Sequence, residues 1–133
     1  MFEALGIAFS ALFSLQSLGM LMAGVVMGLA IGILPGLGGI AGLALLLPFI
    51  YGMDPVAAMA LMIGLVAVIP TSDTFTSVLM GIPGSSSSQA TVLDGFPLAK
   101  QGYAARALSA AFVASLFGGL AGAIILTFFI QIA

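Results

Sequence analysis

The sequence predicts an all-α integral membrane protein, with transmembrane helices and two Pro-Gly-interrupted half-helices or re-entrant hairpins between the longer crossings. Three observations predict it. Of the 133 residues, 62% are hydrophobic and 5% are charged, with mean hydropathy +1.37; soluble domains carry about 25% charged residues and cover their surface with them. The charges are Glu3, Asp54, Asp73, Asp94, Lys100 and Arg106, which leaves fifty uncharged residues between the first two and twenty-seven after the last. A crossing needs about 20 apolar residues for a ~30 Å hydrocarbon core, so both intervals suffice. The third observation is a repeated break, GILPGLGG and GIPGSSSS, in which an apolar run meets Pro-Gly and then small residues.

Composition also excludes functions. A net charge of −2 leaves no basic face for nucleic acid. With no cysteine and no histidine, disulfides, thiol chemistry, imidazole catalysis and the usual zinc or haem ligand sets are absent. A serine protease would lack its base, and Asp73 and Asp94 lack the helix contexts of an aspartyl pair. No enzyme activity is expected, and no cofactor beyond a coupling ion. No Lys or Arg precedes Lys100, so the start lacks the basic region of a secretory signal, and the first segment is expected to stay in the mature chain.

Residues 1–16 mix large apolar side chains with Ser and Gln, as an interfacial helix or the opening of a longer span would. The apolar run from Leu18 to Leu34 ends at Pro35-Gly36, where Pro removes a helical hydrogen bond and Gly permits positive φ. Gly24, Gly28 and Gly32 recur every four residues, a stripe that lets two helix backbones approach closely in lipid. Pro35 to Pro48 encloses twelve residues, about 18 Å of helix at 1.5 Å per residue, too short to cross. Asp54-Pro55 reads as N-cap and first helical residue of a helix running to Ile69. Pro70 is expected to interrupt it, leaving Thr71-Ser72-Asp73-Thr74 as a polar patch before a short apolar piece, Phe75 to Ile82.

Pro83-Gly84 and Ser85 to Ser88 follow, and Asp94-Gly95 is expected to open a polar turn region holding Lys100 and Arg106. Those two cations favour a cytoplasmic loop, although so small a bias permits either orientation. The last span is expected from Ala107 to Ile130, with Gly118 and Gly122 spaced for helix packing. Paired interrupted helices are the sequence pointer to a transporter's midplane site, because bare backbone persists at membrane depth only inside protein or around a cavity. The competing readings are Pro-Gly surface loops between short spans, and a small structural or pore-forming membrane protein assembled through its glycine stripes.

Several motifs together are specific: Gly28-xxx-Gly32-xx-Pro35-Gly36-Leu37-Gly38, Ala44-Leu45-Leu46-Leu47-Pro48, Gly52-Met53-Asp54-Pro55, Pro83-Gly84, and Asp94-Gly95-Phe96-Pro97-Leu98-Ala99-Lys100. Through them the chain resembles the large membrane subunit of tripartite tricarboxylate transporters, the TctA type, over essentially its whole length. The resemblance implies cation-driven secondary uptake of a small carboxylate solute across the bacterial inner membrane. The partners it implies are a small membrane subunit, a periplasmic solute-binding protein and membrane lipid. Residues 1–133 then form a single transmembrane transport domain like the first half, one repeat, of a longer carrier, completed by a second half or by a homo-oligomer. Where many members have Gly-Gly, this chain has Thr71-Ser72-Asp73, and Gly81-Ile82 stands where they have an Asn before the second Pro-Gly.

With so few cations, an anion must be held by backbone amides and hydroxyls. The amides of Gly36, Leu37, Gly38 and Gly39 are the first candidates for the solute carboxylate, and the hydroxyls of Ser85, Ser86, Ser87 and Ser88 add either substrate contacts or helix caps. Asp73 is costly at membrane depth. It is read as a coupling-ion ligand for Na⁺ or a proton, with Thr71, Ser72 and Thr74 as oxygen partners, or else as the cap of a helix starting at Thr74.

Overall fold

The computed structural model describes residues 2–130; Met1, the first residue of the expected interfacial segment, and residues 131–133, the end of the expected transport domain, lie outside them. Six α-helices follow one another without a strand among the described residues: α1 (Phe2–Leu12), α2 (Leu15–Gly32), α3 (Gly39–Ile50), α4 (Pro55–Met80), α5 (Gln89–Leu98) and α6 (Ala104–Ile130). A 3₁₀ turn at Ser86–Ser88 leads into α5, and a π-type turn at Ala99–Tyr103 joins α5 to α6. Three stretches are long and apolar enough to cross a membrane, Leu15–Gly32, Pro55–Met80 and Ser86–Ile130, with Gly39–Ile50 a shorter apolar helix between the first two. The predicted all-α membrane class is the observed one.

The first break precedes α2. After α1 ends at Leu12, Ser14 takes extended backbone, and its hydroxyl accepts from the Ser17 N–H at 3.2 Å, which starts a new helix at Leu15. The glycine stripe then sets the main packing. A Cβ on Gly24 would run into the Leu61 carbonyl, one on Gly28 would stand 2.5 Å from the Leu65 carbonyl oxygen, and one on Gly32 would meet the Ser72 hydroxyl. Gly64 returns the favour against the Leu21 carbonyl. The two backbones therefore touch, and the Ser72 hydroxyl donates across the seam to the Gly28 carbonyl at 3.3 Å. Below the seam, Leu46 of α3 packs with Leu61, Leu65 and Ile69 of α4 as the buried core.

Asp54 caps α4 as expected, its carboxylate accepting from the Val56 and Ala57 N–H groups at 3.1 Å each, with Pro55 opening the helix. Pro70 does not interrupt it. The helix runs through to Met80, 26 residues and about 39 Å, so Thr71–Thr74 form a helical turn and Phe75–Ile82 is no separate piece. Proline removes one backbone bond, and hydroxyls within the next turn bond neighbouring carbonyls of the same helix. Ser72 donates to the Ile69 carbonyl at 3.0 Å and Thr74 to the Pro70 carbonyl at 3.0 Å, while packing against α2 holds the turn. A cap at Thr74 has no helix start to serve.

One further expectation changes. Asp94 and Gly95 lie within α5, with Pro97 also inside it. Gly95 is small because α5 lies on α4 there: its Cβ would stand 2.9 Å from a Val78 methyl. The turn comes later, at Gly102, whose φ of 89° only glycine adopts freely. Lys100 sits 4.5 Å over the Phe96 ring. Gly118 and Gly122 meet nothing within 4 Å, because the distal half of α6 extends past the other described helices and is exposed throughout.

Candidate functional site

The breaks on either side of the core bend toward each other. After α2, Gly36 turns the chain at φ 83°, and the Leu37 N–H is taken up by the Leu34 carbonyl at 3.2 Å. Gly38 is extended and serves as N-cap of α3, its carbonyl accepting from the Gly42 N–H at 3.1 Å. The first-turn amides of α3 have no partner within the helix. After α4, Gly81 adopts left-handed backbone (φ 69°) over the Phe96 ring, and the chain runs through Pro83 and Gly84 into the serine turn. A Cβ on Gly38 would stand 3.8 Å from the Gly84 carbonyl oxygen, so the N-cap of α3 comes near the second Pro-Gly break.

Asp73 lies against the second break. Its side chain is 1% exposed. One carboxylate oxygen accepts from the Gly84 N–H at 2.8 Å and from the Ser77 hydroxyl at 3.4 Å; the other accepts from the Ser85 hydroxyl. Ser85 also lies 2.9 Å from the Ser87 hydroxyl, and its amide donates to the Ser88 hydroxyl at 3.3 Å. Ser88 returns a bond to the Ser85 carbonyl at 2.9 Å. The four serines thus include a capping arrangement, while the hydroxyls of Ser85 and Ser87 form a chain leading from Asp73.

Beside this cluster opens a cleft of about 330 Å³, lined by Pro70, Asp73 and Thr74 of α4, Ser87 and Ser88 of the turn, Thr91 of α5, and Ala111, Ala114 and Ser115 of α6. Its polar lining is one carboxylate and five hydroxyls, with no basic side chain. Such a donor set offers hard oxygen to a monovalent cation or a proton and hydroxyl hydrogen bonds to a polar solute. Among the described residues no cluster of His, Cys, Asp or Glu could hold a metal ion by side chains of that kind alone.

The structure therefore brings Gly38, Asp73, Thr74 and the serine turn together and separates other residues singled out from the sequence. Ser72 points the other way, its hydroxyl spent on carbonyls of α2 and α4. Thr71 is half-buried and outside the cleft lining. Gly36 is exposed, the Leu37 amide is already bonded, and Ser86 is exposed. Four participants escaped the sequence reading: the Gly84 amide, Ser77, Thr91 and Ser115. Ser77 follows Asp73 by four residues, so an unbroken helix would have placed it on the same face.

A buried carboxylate on α4 without a cationic partner in its cleft, in a chain with three membrane-length apolar stretches, defines a multi-pass membrane protein. The chain belongs to the tripartite tricarboxylate transporter TctA family, whose model matches residues 18–133, and the resemblance carried by its motifs is thereby shown. A curated protein of Agrobacterium vitis, described as an uncharacterized 52.8 kDa protein in the TAR-I ttuC' 3'region, is 35% identical over 103 residues, 77% of this chain. The chain spans 20% of that relative's length. No solved structure matches it.

Proposed function

We propose that the chain is a permease domain of a cation-coupled secondary transporter, taking up a carboxylate solute in the bacterial inner membrane. In this reading a periplasmic solute-binding protein delivers the solute, a small membrane subunit assists, and a second half or a second copy completes the carrier. The observation that carries the reading is the second Pro-Gly break bonded to a buried Asp73 beside a hydroxyl-lined cleft, with the N-cap of α3 near the same break. Irregular backbone at membrane depth is tolerated where it lines a cavity, and an acid there marks an ion or solute path.

The roles follow from what each group has free. The amides of Gly38 and Gly39 at the start of α3, where the helix dipole is positive, receive the solute carboxylate. Ser87 and Thr91 supply hydroxyl contacts from the cleft wall. Asp73 binds the coupling Na⁺ or proton, with Thr74 and Ser88 as oxygen partners; Ser72 leaves this set because its hydroxyl serves the α2–α4 seam. The test is solute uptake in vesicles reconstituted with the complete carrier. Asp73→Asn should insert normally and lose most of the dependence of uptake on the cation gradient, and unchanged cation dependence removes Asp73 from the mechanism. Gly38→Val, which sets a branched side chain beside the Gly84 carbonyl and the amides of α3, should abolish uptake, and normal uptake contradicts the amide cradle. A second reading, an assembly held through glycine stripes, draws support from the open faces of Gly118 and Gly122.

A further inference from the structure

The Asp73 carboxylate has an unusual set of partners. It is buried to 1% exposure, and two of its three donors, the Gly84 N–H and the Ser85 hydroxyl, belong to the second break, eleven and twelve residues further along the chain. Three features make this more than a helix contact. The Gly84 site fits closely around the acid, since a Cβ there would run into the carboxylate oxygen, and glycine lets the backbone amide come to 2.8 Å with the carboxylate in place. The acid has no cationic neighbour in the cleft: the charged groups on the packed elements, Asp94 on α5, Lys100 in the following turn and Arg106 on α6, are all absent from its lining. Its three hydrogen-bond partners are therefore all neutral donors. Asp73 also lines the open cleft, so the bonded pair lies at the cleft wall.

We propose that Gly84 and Ser85 form a carboxylate-binding donor pair that Asp73 fills from within the chain. The second break is thus closed by an internal anion, and an external carboxylate gains these donors only by displacing Asp73. Gly84 and Ser85 are the binding groups, and Asp73 is the positioning residue that fastens the break to α4. The inference rests on the carrier reading for its place in transport, but the donor pair is a property of this chain and is measured without transport.

The measurement is amide hydrogen exchange at residues 84–88 in the detergent-solubilised full chain. Asp73→Ala empties the pair, and exchange across 84–88 should rise roughly tenfold or more, the loss expected for hydrogen bonds to a charged group. The α2–α4 seam around Gly28 and Leu65 should keep wild-type protection, which separates release of the break from general unfolding. Sodium acetate should then restore protection to Asp73→Ala at 84–88, where sodium chloride at equal ionic strength does not. The further change Ser85→Ala should weaken that rescue. In the otherwise native chain, Ser85→Ala alone should raise exchange in the same segment, which keeps the test open should Asp73→Ala fail to fold. Acetate acting no better than chloride, or exchange at 84–88 unmoved by Ser85→Ala, overturns the proposal. Neither result touches solute uptake, so the carrier reading stands or falls separately in the vesicle assay.

Discussion

Asp54 and Asp73 are both aspartates on α4, and position alone gives them opposite tasks. Asp54 is exposed at the first turn, where its carboxylate satisfies two amides that the helix itself leaves bare. Removing it in Asp54→Ala should cost about 1 kcal/mol of stability, the usual worth of an N-cap, read as a lower denaturant midpoint in micelles with an unchanged slope. Asp73 is buried five turns later and answers donors from another segment. Ser72, its neighbour, turns to the opposite face and bonds the Gly28 carbonyl. Ser72→Ala should cost only about 0.6 kcal/mol, the average for a polar contact between membrane helices, and should leave cation dependence of uptake as it was. A large loss of that dependence would return Ser72 to the ion site.

At the scale of helices, what the sequence made legible depends on whether the decisive force was local. The Asp54-Pro55 start, the Gly24-Gly28-Gly32 stripe and the two Pro-Gly breaks are written in residues that act within one turn, and each is where its pattern placed it. Pro70 was misleading because the propensity of one residue was opposed by packing that no local pattern records, namely the contact of α4 with α2 and the hydroxyl bonds of Ser72 and Thr74. Asp94-Gly95 misled in the same way: Gly95 allows α5 to approach Val78 and makes no turn. The cleft itself, with Thr91 and Ser115, needs three helices side by side and has no signature in any one of them.

The stripe gives the cleanest element-scale test, because two sets of glycines with the same spacing have different surroundings. Gly28→Ala puts a methyl 2.5 Å from a backbone carbonyl, which cannot swing aside as a side chain can. It should cost about 2 kcal/mol or more by forcing α2 and α4 apart. Gly118→Ala and Gly122→Ala meet open space and should stay within about 0.5 kcal/mol in this chain. Unfolding in micelles compares them directly, and equal losses at the two stripes would mean that the α2–α4 seam is not what limits stability.

For the molecule as a whole, the question that separates a carrier from a structural assembly is whether water reaches the breaks at membrane depth. The chain contains no cysteine, so single thiols can be placed without altering anything else that reacts. Ser87 lines the cleft, whereas Leu120 lies on the exposed, wholly apolar run of α6. A membrane-impermeant thiol reagent acts on the thiolate, which forms in water and not in hydrocarbon. In vesicles, Ser87→Cys should therefore react at least tenfold faster than Leu120→Cys. Reactivity alone would also suit a loop among the headgroups, so depth must be read at the same position. A spin label at residue 87 should lie within the hydrocarbon slab by its relative collision rates with oxygen and a water-soluble nickel chelate, while remaining open to the aqueous reagent. Wet and deep together require a cavity, since lipid-exposed irregular backbone does not persist there. A label that is wet but shallow would place the serine turn at the surface, and one that is deep but dry would leave α4, α5 and α6 packed around a closed core with no path for a solute.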